Sequence, residues 1–236
     1  MKILASLALL AFVNGAPDAV GSDVQLLLRQ MKAACGGPAW DRVQSWHETS
    51  RMELPDGRTI ENEVWHDMHS LKSAMIGRVA GKIVRRAGFN GSSYWRAGPD
   101  GKIRVGSDPA ILRQQRRDAY LSSFGWFFPE RFQATFQRGS DVSLENRTFQ
   151  VLHISPQDAE SFDLWLDPAT HLVRRIVAGP EYADLSNYKV FDGVCTATLG
   201  RQGTGDPKAD VVLHVVSVST SVPAPPTTFA PPADPG

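Results

Sequence analysis

Several strings in this chain carry residue types whose spacing could do chemistry. Gly77 to Lys82 reads GRVAGK, with the glycines and lysine of a phosphate loop. Such a loop needs four residues between its glycines and a Ser or Thr after the Lys to hold magnesium. Here three intervene and Ile83 follows, so the string reads as a strand-to-strand turn. In WHDMH, His66 and His69 are three apart with Asp67 between. On a strand those imidazoles point to opposite faces and do not converge on a metal unless the segment turns. His47, His153, His171 and His214 are scattered without ligand spacing, so neither metal nor cofactor is expected.

Nucleophilic and acid-base catalysis leave no clearer trace. The G-x-S-x-G elbow of serine hydrolases is missing, and NGSSYW does not supply it. Aspartic proteases need Asp-Thr-Gly or Asp-Ser-Gly loops to bring two carboxylates together. The strings present, Asp56-Gly57, Asp100-Gly101 and Asp192-Gly193, are those of hairpin turns. Any two of the 25 acids could meet as a glycosidase pair, but no acid-rich, aromatic-lined motif marks them. The chain is therefore read as a non-enzyme, with a hydrolase of dispersed residues as one alternative. Asn90-Gly-Ser92 and Asn146-Arg-Thr148 match the glycosylation pattern, which matters only in a eukaryotic secretory path.

Charge and the N-terminus bound the remaining roles. Lys plus Arg and Asp plus Glu balance at 25 each, so no nucleic-acid partner is expected. MKILASLALLAFVNGA combines one Lys, an apolar run from Ile3 to Val13 and small residues after it, the layout of a secretory signal peptide. Cleavage falls after Gly15 or Ala16, giving a signal over 1–16, a β domain over 17–222 and a Pro-rich tail over 223–236. Eleven apolar residues reach only roughly half of a ~30 Å hydrocarbon core, and no Cys follows either cleavage point. A periplasmic or secreted protein without a stable membrane anchor is expected.

The elements that position any site follow from periodicity. Ser22 with Gln25 makes a capping box, and Val24, Leu27, Leu28 and Met31 form the stripe of a first helix ended by Gly36-Gly37. Antiparallel strands are predicted at about 43–54, 59–67, 71–77 and 82–88, with a hairpin across 93–105. Asp108-Pro109 opens a second helix, about 109–121. Strands resume at about 131–137, 140–154, 160–166 and 171–178, and a last pair spans about 184–198 and 210–220. The tail PAPPTTFAPPADPG lacks ladder donors and is expected to be extended or disordered.

Two features within this frame matter most. FGWFFPERF, residues 124–132, holds five aromatics in nine positions after Arg113, Arg116 and Arg117. It reads as ordinary core, as the wall of an apolar pocket or as a membrane-touching patch; three consecutive rings cannot all face one way in a regular element. Cys35 and Cys195 are the two cysteines; in an oxidising compartment they either pair or remain two buried thiols.

Several strings together resemble one family. AACGGPAWDRVQSW, GFNGSSYW, FDLWLDPATHLVRRIV, YKVFDGV and the terminal FAPP, in this order and spacing, are similar to bacterial exported proteins of the outer-membrane lipoprotein carrier superfamily, the LolA/LolB-like fold. They look especially like the domain of that type found ahead of aspartyl protease domains, over about residues 23–232. The motifs are turn and packing motifs. The resemblance implies an α+β architecture: a curved antiparallel sheet or incomplete barrel with helices on its concave face, binding lipid or lipoprotein acyl chains. Such domains often follow the Asp-Gly turn with Leu-Pro, whereas VCTATLGRQGTG follows Gly193, so the last strands are expected to be displaced. No protease signature follows, so that activity does not transfer.

The reading is a binding module for a hydrophobic ligand, with no protein partner identified; an interaction or sensor domain without a ligand is the other alternative. The expected pocket lining is Trp126, Phe127, Phe128, Phe124, Trp95 and Trp165. A Cys35–Cys195 disulfide is expected to staple the first helix to a late strand.

Overall fold

A computed structural model of the chain describes residues 21–98 and 100–232. The signal segment lies outside the described residues. The chain begins with helix α1 (Ser22–Ala34), whose Val24, Leu27 and Met31 are buried at the expected i, i+3, i+7 positions. Its N-cap is Gly21 and not Ser22; Ser22 is already helical, so the predicted capping box does not form. Gly36, at φ 114°, then turns the chain into a 3₁₀ segment, Gly37–Arg42, that buries Trp40.

A meander follows: β1 (Ser45–Glu53), β2 (Thr59–Asp67), β3 (Ser73–Val79), β4 (Lys82–Phe89), β5 (Tyr94–Ala97) and β6 (Ile103–Gly106). Helix α2 (Pro109–Ser122) interrupts the sheet, with the Asp108 carboxylate accepting from the N–H groups of Ala110 and Ile111. After a short 3₁₀ turn, Gly125–Phe127, come β7 (Ala134–Arg138), β8 (Val142–Leu144), β9 (Arg147–Pro156), β10 (Phe162–Leu166) and β11 (Val173–Ala178). The last strands are β12 (Glu181–Phe191), β13 (Val194–Gly203) and β14 (Val211–Ser219).

Two predicted strands are each two strands. Residues 140–154 are split by Glu145-Asn146, both at positive φ (50° and 61°), as a two-residue hairpin turn requires. Residues 184–198 are split at Asp192-Gly193, where φ is 49° and 86°. The turn chemistry was visible in both strings; the length of the apolar pattern concealed it.

All strands pair antiparallel in one open sheet of order β6-β5-β4-β3-β2-β1-β14-β13-β12-β11-β10-β9-β7, with β8 also on β9. The sheet is curved, does not close, and carries its helices on one face, as expected for an incomplete barrel. The two meanders join where β14 pairs with β1, in the register Glu48 to Val218, with a bulge at Thr49/Ser50. Alternation decides which residues face the helices. On β10, Phe162, Leu164 and Leu166 are buried while Asp163 and Trp165 point outward.

The described part of the tail departs from the extended form expected of it. The Thr228 N–H donates to the Pro225 carbonyl at 2.9 Å, and Trp95 Nε1 donates to the Phe229 carbonyl at 3.0 Å. Proline removes ladder donors but leaves carbonyls free, so this segment accepts from a side chain instead of joining a strand. No helix among the described residues is long and apolar enough to cross a membrane.

Candidate functional site

The covered face of the sheet has a packed half and a hollow half. In the packed half, α1, the 3₁₀ segment and the 124–132 stretch meet β9 and β10. Trp40 lies 4.7 Å from Phe124 and 5.0 Å from Phe127 between ring centroids, and stacks on Trp46 at 6.1 Å with 3° between planes. The aromatic string solves its facing problem by leaving regular structure. Phe124 takes a left-handed conformation, φ 50° and ψ 42°, and the chain coils through Gly125–Phe127, so successive rings fan into the core. Phe127 and Phe128 are buried there at 4% and 1% exposure.

The hollow half is a cavity of about 790 Å³ between α2 and strands β11 to β14. Its floor is aliphatic: Ile176 and Ala178 from β11, Leu185 from β12, Ala197 from β13, Leu213 and Val215 from β14. Helix α2 covers it with Gln114, Arg117, Asp118, Leu121 and Ser122, and Phe124 and Trp126 form the wall shared with the packed half. Exposed lining residues, Arg85, Glu181, Gln202 and Thr204 among them, mark where it meets solvent. The volume is within the range of ligand pockets, roughly 300–1,000 Å³. A second cavity of about 280 Å³ lies beyond Tyr120, lined by Leu71, Phe89 and Phe132.

Charges fix the helical cover. Arg117, almost wholly buried, reaches Glu160 at 2.8 Å, Asp118 at 2.9 Å and Glu181 at 3.5 Å, tying α2 to the start of β12 and the turn before β10. Burial pushes the Asp118 carboxyl up, and the Arg117 guanidinium opposes that shift. Inside the cavity, Tyr188 donates its hydroxyl to the Val173 carbonyl at 2.6 Å, and burial raises its pKa. Glu48 also lines the wall; burial raises its carboxyl pKa despite a 3.2 Å hydrogen bond from Trp46 Nε1.

Of the six predicted pocket residues, the structure brings two, Phe124 and Trp126, to the cavity wall. Phe127 and Phe128 are packed core, because the 3₁₀ turn directs them toward Trp40. Trp95 and Trp165 stand on the opposite face of the sheet. Trp95 lies over Gly88 under the tail, and Trp165 stacks on Phe149 at 6.4 Å with the Arg175 guanidinium 5.3 Å from its ring. The missed lining sits in β11 to β14, and its signal was the alternation of Ala183 and Leu185, then Leu213 and Val215.

Cys35 and Cys195 both line the cavity and are free thiols in this structure. His66 and His69 do not converge: His66 is buried on β2, while His69 is exposed and pairs through Nε2 with Gln44 at 2.9 Å. Among the described residues no His, Cys, Asp and Glu cluster has the makings of a metal site.

An open antiparallel half-barrel, helix-covered and hollow on one side, is the LolA/LolB-like fold. The chain is similar to a LolA superfamily protein from Nitrosomonas europaea, with a TM-score of 0.58 at 12% identity over 88% of this chain and 97% of that one. A DUF1329 family protein from Desulfovibrio piger gives 0.57 at 12% identity, over 87% and 96%. A domain named for outer membrane lipoprotein sorting, from Vibrio parahaemolyticus, gives 0.56 at 12%, over 88% and 96%. Neither a protein-family model nor a curated protein matches the sequence.

Proposed function

We propose that this chain is an exported, periplasmic binding module that holds an apolar ligand, a lipid or the acyl chains of a lipoprotein, between α2 and strands β11 to β14. The observation that carries the reading is the cavity of about 790 Å³, floored by aliphatic side chains from four consecutive strands. Burying acyl methylenes there is favourable by about 0.8 kcal/mol each. The names of two similar structures, LolA superfamily and lipoprotein sorting, support the ligand class. The role is binding and not catalysis, with the domain spanning about 17–222 after removal of a signal over 1–16.

Purification from the producing cell, followed by solvent extraction and lipid mass spectrometry, tests this. A lipid at near-stoichiometric amount is the expected result. A clean extract from a protein that also fails to take up a fluorescent fatty acid would overturn it and favour a ligand-free interaction domain.

A further inference from the structure

A polar row crosses the inner face at the β1 side of the cavity. Ser50 on β1 stands opposite Asn62 on β2, Asn62 opposite Gly77 on β3, and Gly77 opposite Arg85 on β4. Register alone puts all four on one face, and the geometry at Gly77 agrees. A Cβ placed there would lie 3.2 Å from Asn62 Oδ1 and 3.2 Å from the Arg85 Cβ. Without a side chain at Gly77, the Asn62 amide and the Arg85 stem close up on one another across β3.

The row is built and unsatisfied. Ser50 and Asn62 are 3% and 4% exposed; Asn62 Oδ1 has no hydrogen-bond partner, and the Ser50 hydroxyl is turned toward the Glu48 carboxyl. A buried polar atom left unpaired is costly, so Asn62 Oδ1 points to a missing partner. Arg85 lines the cavity and has no acidic partner among the described residues, whereas Arg78, on the outer face, is held by Glu63 at 3.0 Å. Trp126 Nε1, a buried donor on the cavity wall, is unpaired too.

We infer that Arg85, at the cavity rim, with Asn62 and Ser50 behind it on the same row, forms a head-group subsite for the anionic end, a carboxylate or a phosphate, of an amphiphile whose chain occupies the β11–β14 cavity. The inference rests on the binding role proposed above. Arg85 supplies a planar fork of donors suited to either oxyanion, and Ser50 donates a further hydrogen bond. Asn62 Oδ1 accepts from a hydroxyl next to the anion. Glu48, on the same strand face as Ser50, has its carboxyl pushed up by burial, against hydrogen bonds from Trp46 and Ser50 that pull it down.

The test uses the full mature chain and three probes sharing one C16 chain: palmitate, 1-palmitoyl lysophosphatidate and 1-monopalmitoylglycerol. Each is titrated as a competitor against a fluorescent fatty acid. Parent protein should bind at least one anionic probe about tenfold or more tighter than the neutral one, a difference of ~1.4 kcal/mol. The arm that wins distinguishes carboxylate from phosphate. Arg85→Gln should abolish that preference, weakening the anionic probe about tenfold more than the neutral one, and Arg85→Lys should restore part of it. Equal binding of all three probes by the parent, or loss of all three alike in Arg85→Gln, would overturn the subsite while leaving the cavity reading standing. Binding of no probe would overturn both.

Discussion

The backbone N–H of Cys195 donates to the carbonyl of Cys35 at 2.8 Å, and the two buried thiols both face the cavity. This contact joins the end of α1 to the first turn of β13. It depends on Gly36, where a Cβ would collide with the carbonyl of Gly193. The neighbouring thiol and burial push the Cys35 pKa up, while Cys35 pulls that of Cys195 down.

A disulfide is therefore expected in protein recovered from an oxidising compartment. Maleimide added to the unfolded, unreduced protein should label no thiol, and should label both after reduction. Loop-entropy models assign about 4–5 kcal/mol to so long a loop, so reduction should lower the denaturation midpoint clearly. Two labelled thiols without reductant would show the bond absent.

Filling the hollow half should separate binding from stability. Leu185→Trp places an indole where the cavity floor is, and should weaken fatty-acid binding by about tenfold or more. Its melting temperature should move by only about 2–4 °C, the shift ~1 kcal/mol gives in a chain this size. Phe128→Ala in the packed half should do the reverse, losing about 3–5 kcal/mol of stability. Unchanged probe affinity in folded Leu185→Trp would remove the cavity as the site.

Arg117 should behave as the tether of α2. Arg117→Met keeps the stem's packing but removes the contacts to Glu160, Asp118 and Glu181. Charged hydrogen bonds of this kind contribute about 1.5–3 kcal/mol. The expected outcome is faster amide exchange concentrated in α2 and the 124–128 turn, with β9 and β10 little changed. Uniform change across the sheet would show that the ion cluster supports the whole fold and not the cover.

His66 gives the pH dependence a definite sign. Burial pushes its imidazole down to about 4, against about 6.5 in the unfolded chain. The folded state favours the neutral ring, so this stability is full above ~6.5 and is lost as pH falls toward ~4. The loss amounts to something on the order of 3 kcal/mol. Chemical denaturation between pH 7.5 and 4 should show the decline in the parent and a flatter profile in His66→Gln. Equal slopes would assign the acid sensitivity elsewhere.

Much of the fold was legible because its signals are local. The i, i+3, i+7 stripe of α1, Asp108-Pro109 before α2 and the turn pairs between strands each act within a few residues. β2 spans the predicted residues, and α2 differs from its prediction by a single terminal residue. The site was less legible because facing is a property of register. Trp165 sits in a strand whose alternation was read correctly, yet which face became the cavity depends on pairing with β9 and β11. Phe127 and Phe128 were separated from Phe124 and Trp126 by a left-handed residue at Phe124, which no phenylalanine announces. The polar row went unread for the same reason: Ser50, Asn62 and Arg85 are neighbours only through two strand pairings and a glycine.

The pairing of β14 with β1 also sets an order of events in time. Thr49 and Ser217 bond through their hydroxyls at 2.6 Å although 168 residues separate them. Each meander can form from contacts close in sequence, but the seam between them cannot, since β1 must wait for β14. Topologies dominated by such distant pairings fold slowly, in about milliseconds to seconds. A chain whose seam waits for residues 211–219 is thus kept unfinished until those residues are made, with the inner faces of both halves exposed meanwhile. If the chain is exported as proposed, that delay would keep it in the unfolded form a translocation channel requires.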